Sequence, residues 1–140
     1  MQEIINSIRK PEYVDPKDLL LVAIGGALGA CLRYLVIIWV PAEGFPWATL
    51  SVNLIGSFAL GIIIALSSNQ ILDEKSTLLI ATGILGAFTT MSTYSIDTIT
   101  LWQNDRFTAI LYVIVTAIIG PILALIGMEI TNSGIFFNKN

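Results

Sequence analysis

From Trp47 to Leu66 the chain reads W-A-T-L-S-V-N-L-I-G-S-F-A-L-G-I-I-I-A-L without one charged side chain. A stretch of this length is near the ~20 residues that cross ~30 Å of hydrocarbon as a helix. A helix of a soluble bundle needs a charged face that repeats along its length, and this stretch has none. Three more segments of the same kind follow the same logic: Leu19–Val40, Thr77–Leu101 and Phe107–Met128. The composition agrees, with 55% hydrophobic and 12% charged residues among 140 and a mean hydropathy of +0.81. The reading is an all-α membrane protein of four transmembrane helices.

The chain divides into a polar N-terminal tail over 1–18, a four-helix transmembrane domain over 19–128 and a C-terminal tail over 129–140. In the first tail Pro11 and Pro16 limit any helix to the opening residues, where Ile4, Ile5 and Ile8 share an apolar face that suits a membrane surface. No apolar core with a small-residue cleavage site precedes Leu19, so the tail reads as retained. Phe136 and Phe137 suit the interface at the other end. Histidine is absent and Cys31 is the sole cysteine, which leaves no disulfide and no Cys/His metal site within one chain. Without histidine no nucleophile–base pair of the usual kind can be assembled, which argues against an enzyme. Cys31 reads as a small buried packing residue. A net charge of −3 without a basic cluster argues against nucleic acid as a partner.

The third span contains the polar exception. From Gly83 to Asp97 it reads G-I-L-G-A-F-T-T-M-S-T-Y-S-I-D, with hydroxyls at Thr89, Thr90, Ser92, Thr93 and Ser95 and with Gly83 and Gly86 just before them. Glycine lowers the cost of leaving helical geometry, so the spacing predicts a break in the third helix. Irregular backbone at membrane depth is tolerated only where protein covers it or where it lines a watery cavity. The stretch therefore predicts a tight interface or a pore.

The other spans supply candidate partners. Gly25 with Gly29, and Gly26 with Ala30, place small residues four apart and allow close helix approach. Arg33 lies late enough in its span to snorkel, either as a membrane anchor or as a source of positive potential at an anion vestibule. Asn53 stands alone among apolar neighbours, to bond a neighbouring helix or to donate to an anion. Ser57 and Gly61 form another small pair. Tyr112, Thr116 and Gly120 line one face of the fourth span, and Gly120-Pro121 predicts a kink. Asp97 falls near the end of the third span, close to water.

Three motifs in order carry a resemblance: G-G-A-L-G-A-x-x-R-Y at Gly25–Tyr34, A-T-L-S-V-N-L-I-G-S-F at Ala48–Phe58 and G-A-F-T-T-M-S-T-Y-S at Gly86–Ser95. Together they resemble the Fluc/CrcB family of bacterial fluoride channels, across all four spans. The resemblance implies an antiparallel, dual-topology dimer with two pores in the cell's inner (plasma) membrane. It also implies passive, selective export of cytoplasmic fluoride, which protects the cell, and a structural sodium ion at the dimer centre. Its sodium ligands fall on the backbone carbonyls of Gly86 and Thr89. Its pore residues fall on Asn53, Ser92, Thr93, Tyr112 and Thr116, and its basic residue on Arg33. Where the family has two phenylalanines with ring edges toward fluoride, this chain has Met91 and Tyr94. Tyr94 keeps an aromatic edge and adds a hydroxyl, whereas Met91 offers a polarisable thioether.

Two other functions compete. A proton-coupled transporter of the small multidrug-resistance kind also uses four short helices, but needs a carboxylate within the membrane, for which Asp97 is the only interior candidate. A non-conducting membrane assembly subunit is the other. Arg9, Lys10, Lys17, Lys75 and Lys139 share one side of the membrane against Arg106 and Arg33 near the other, which predicts cytoplasmic termini. That bias leaves a second copy of the chain and an oppositely biased homologous subunit both open as partners.

Overall fold

The computed structural model describes residues 15–41 and 43–137, with side chains described as far as residue 134. The expectations for Ile4, Ile5, Ile8, Pro11, Arg9, Lys10 and Lys139, and for the side chains of Phe136 and Phe137, lie outside the described residues. Among the described residues every element is helical. Helix α1 spans Pro16–Trp39 and α2 spans Trp47–Ser68. Helix α3 is composite, with Glu74–Thr77 followed by a π-helical stretch Leu78–Leu85 and a last turn Gly86–Phe88. Helix α4 spans Met91–Asn104 and α5 spans Arg106–Phe137. Four membrane-crossing lengths result, since α3 and α4 together make the third, Glu74–Asn104.

Local chemistry sets the helix ends. Asp15 caps α1 by accepting from the Lys17 amide at 2.9 Å, with Pro16 in the first turn where its missing N–H is no loss. The helix stops before Pro41, which disfavours helical backbone in the residue ahead of it, and Gly44 turns the chain at φ +75°. At the end of α2, Gln70 takes a left-handed φ of 57°. Beside it Asn69 donates to Ala65 O at 2.8 Å and to Asn132 Oδ1 of α5 at 2.9 Å. Asp73 begins α3, and the Ser76 side chain holds its carboxyl below the usual range. Asp105 caps α5 by accepting from the Phe107 amide at 3.0 Å and from the Thr108 hydroxyl, which holds its carboxyl low as well.

The principal helix pairings are α2 with α5 and α1 with α3. Glycine brings both together. A Cβ on Gly61 would be driven into the carbonyl of Ala124, and one on Gly127 into that of Phe58. A Cβ on Gly29 would meet the carbonyl of Ile84, and one on Gly25 would lie only 2.9 Å from the Cα of Gly83. Backbone contact of this kind replaces hydrophobic burial as the source of helix association in lipid. The buried cluster of Leu50, Tyr94, Leu101, Ala109 and Tyr112 joins α2, α4 and α5. Most large apolar side chains point outward, as a bilayer requires.

Several sequence expectations change. Cys31 is exposed, because it follows Gly29 by two residues and so lies ~200° around α1 from the packed face. Gly26 meets no atom within 4 Å, so only the Gly25–Gly29 row is used for close packing. Helix α5 contains Gly120-Pro121 and continues past the expected end at Met128 to Phe137.

Candidate functional site

The third span breaks between α3 and α4. Thr89 (φ −73°, ψ 156°) and Thr90 (φ −147°, ψ 113°) are extended, which strips the ladder of its regular partners halfway along a membrane-crossing segment. Each group thereby exposed has to find another partner. The Thr90 amide donates to Asn53 Oδ1 at 2.8 Å, and Asn53 Nδ2 donates back to Thr90 O at 3.2 Å. Thr90 is buried and its hydroxyl caps α4 by accepting from the Thr93 amide at 3.2 Å. That hydroxyl also bonds Thr93 Oγ1 at 3.0 Å and lies 3.2 Å from Ser92 Oγ. Thr89 folds back onto Leu85 O through both its amide, 3.1 Å, and its hydroxyl, 3.0 Å. From α1, Arg33 Nε donates to Ala87 O at 3.0 Å.

The break therefore has tethers on both sides, and certain carbonyls remain over. The helical partner of Gly86 O would be the Thr90 amide, which is turned instead to Asn53. Thr89 O, in extended backbone, has no partner among the described hydrogen bonds outside regular helix. Both residues line a hollow of ≈ 300 Å³ whose wall also includes Asn53, Ser57, Met91 and Thr116.

The sequence-predicted residues fall into three groups. Asn53, Gly86, Thr89, Met91 and Thr116 share this hollow. Ser92 and Thr93 belong to the hydroxyl knot around Thr90. Tyr94 and Tyr112 form a separate aromatic layer, their rings 5.2 Å apart, with Phe45 edge-on to Tyr112 at 5.5 Å. Arg33 stands outside both, against the end of α3. Asp97 lines another hollow of ≈ 410 Å³ with Asp105 and Thr108, and its buried Oδ2 has no hydrogen-bond partner among the described residues.

Hydroxyl donors are unevenly available. Thr116 donates to Tyr112 O at 2.8 Å and Ser57 to Asn53 O at 2.7 Å, so both turn back on their own helices. The Tyr112 hydroxyl, on a fully buried side chain, has no hydrogen-bond partner among the described residues. A buried hydroxyl left alone is unfavourable unless something else occupies its donor. Sequence reasoning missed Thr90, Ser57, Phe45 and the carbonyl of Ala87 as parts of the site. The spacing of Ser57 four residues after Asn53 was a usable signal, whereas an alanine carbonyl leaves none.

Residues 20–128 match the family described as "CrcB-like protein, Camphor Resistance (CrcB)". The chain belongs to the CrcB-like family. Among relatives of this CrcB-like chain are three proteins called "Fluoride-specific ion channel FluC". That of Thermus thermophilus is 43% identical over 115 residues, 79% of this chain and 91% of the relative. That of Chelativorans sp. is 41% identical over 123 residues, covering 82% and 96%. That of Leptospira interrogans is 35% identical over 128 residues, covering 89% and 96%. Each alignment spans nearly all of the relative, so the similarity of this CrcB-like chain covers their length and not a fragment of it.

Proposed function

We propose that this chain is a subunit of a passive, fluoride-selective channel of the cell's inner membrane that lets cytoplasmic fluoride out, and that it is not an enzyme. The observation that carries the reading is full-length similarity to fluoride-specific channels, in a four-span chain whose third span is broken beside a hollow that Asn53, Thr89 and Thr116 help to line.

Fluoride is small and strongly hydrated, so a pathway must replace water with several weak donors and never one strong chelate. The Tyr112 hydroxyl has no partner within hydrogen-bond distance among the described residues, the Thr49 side chain being its polar neighbour, and Asn53 commits one of its two amide protons to Thr90. Tyr94 supplies an aromatic edge beside Tyr112, and Met91, Ser92, Thr93 and Thr116 complete the proposed path. Export needs no pump. A membrane potential of ~100 mV, negative inside, is worth about 2.3 kcal/mol per charge, roughly fifty-fold in equilibrium concentration.

A second subunit in antiparallel orientation, either another copy or a homologous chain, completes the channel in this reading. What supports it is the exposure of Gly86, Ser92 and Met91, the last at 73%, on the broken segment in mid-membrane. A polar break left open to lipid is untenable. The carbonyls of Gly86 and Thr89, spared by the Arg33 and Asn53 tethers, fit a sodium ion at that centre, since a hard cation takes oxygen ligands. When bound, the cation would lower the electrostatic cost of an anion nearby.

Liposomes containing the purified chain and loaded with fluoride should empty when a potassium ionophore clamps the potential, while chloride-loaded liposomes should not. Equal release of both anions would remove the selectivity.

A further inference from the structure

Helix α1 presents three residues to the broken helix at four-residue steps: Gly25, Gly29 and Arg33. All three lie on one helix face. The first two are buried and have no side chain to hold the helices apart. A Cβ on Gly25 would run into Leu79 O and the Cα of Gly83, and one on Gly29 into Ile84 O. One turn further along the same face, with the backbones already in contact, Arg33 arrives at the final turn of α3 and donates from Nε to Ala87 O at 3.0 Å.

That position is chemically selective. The last carbonyls of a helix lack amide partners and carry the negative end of its dipole, so a guanidinium satisfies both at once. Ala87 lies between Gly86 and Thr89, whose carbonyls are among the freed ones. On the far side of the break Asn53 fixes Thr90 through both its amide and its carbonyl. Arg33 is not among the residues that line the hollow.

We propose that Arg33 is a positioning residue: its Nε pins Ala87 O so that the Gly86 and Thr89 carbonyls stay presented at the break, and its charge is not needed along the ion path. The Gly25–Gly29 face is the ruler that sets this reach. The proposal rests on the reading of the break as part of a fluoride pathway.

The bond uses Nε, and this makes the role separable from charge. Glutamine carries Nε2 at the same number of bonds from Cα, without a charge. Methionine has a similar unbranched length and no donor. In Arg33→Gln, liposomal fluoride efflux should stay within about threefold of the unmodified chain, and backbone amide exchange over 88–93 should be unchanged. In Arg33→Met, efflux should fall by at least about tenfold and those amides should exchange about tenfold faster, the size of one lost charge-assisted bond. Equal loss of efflux in both variants with unchanged amide protection would make Arg33 a charge in the pathway and overturn the proposal. Unaltered efflux and protection in both would also overturn it. Should Arg33→Met fail to fold, Arg33→Gln decides alone, since a loss beyond about tenfold at intact protection is fatal. If the unmodified chain passes no fluoride, the pathway reading fails, while the exchange pattern still tests the pin by itself.

Discussion

Asn53 holds Thr90 by both ends of one residue, taking its N–H at 2.8 Å and giving an N–H to its carbonyl at 3.2 Å. An amide carries its donor and its acceptor on separate atoms, so one uncharged side chain can take the N–H of a residue and give an N–H to its carbonyl. Thr90 thereby keeps its backbone hydrogen bonds at a point where the helical ladder is interrupted.

Replacing Asn53 with Asp retains the acceptor, loses the donor and adds a negative charge beside the hollow. Fluoride efflux should fall by more than about tenfold, because the lost bond and the repulsion act together. Asn53→Leu leaves the buried Thr90 N–H unsatisfied and should destabilise the folded chain by about 1–3 kcal/mol. Flux through liposomes checks the first, and thermal unfolding in detergent the second.

Gly29→Ala and Gly26→Ala should differ sharply although the residues are three apart. The first drives a methyl into the carbonyl of Ile84 and forces α1 away from α3, whereas the second meets nothing within 4 Å. About 1–3 kcal/mol of destabilisation is expected for Gly29→Ala. Gly26→Ala should be neutral or slightly stabilising, since alanine is the better helix former. Denaturation midpoints of the two variants in one detergent give the comparison.

Tyr112→Phe removes a hydroxyl that has no hydrogen-bond partner among the described residues while keeping the ring packed against Tyr94 and Phe45. Stability should therefore hold or rise slightly. Fluoride efflux should drop severalfold if that hydroxyl serves the passing ion. A parallel loss of stability and flux would place the hydroxyl in the structure instead of the pathway.

The Asp105 cap gives a pH dependence with a definite sign. Hydrogen bonds from Thr108 and from the Phe107 amide hold its carboxyl below the ordinary value. A group with a lowered folded-state pKa contributes stability above its unfolded value, ~3.9 for aspartate, and loses it as pH falls through the folded one. Asp105→Ala should therefore melt at a lower temperature than the unmodified chain at pH 7. The difference should shrink below about pH 4, and melting curves at pH 7 and pH 3 test both statements.

The number of spans and the place of the break were legible because both are compositional. Hydrocarbon excludes charge over a fixed length, and five hydroxyls after two glycines cannot be an ordinary lipid-facing turn. Asn53 was recognisable as exceptional, but its partner was not, since a lone amide looks the same whether it meets a helix or an ion. Cys31 was misjudged for a related reason: one-dimensional patterning does not say which face of an apolar helix is covered. Arg33 was open between anchor and vestibule, and the structure gives it a third engagement, with a backbone carbonyl.

By itself, then, the sequence determined a four-span membrane chain with a polar interruption in the third span, because those properties follow from how many residues of each kind occur in a row. Only the tertiary structure decided which groups meet: Asn53 with Thr90, Arg33 with Ala87, Gly29 with Ile84. Those partners are mostly backbone atoms, which every residue carries alike. They acquire identity only when neighbouring helices come close enough to single them out.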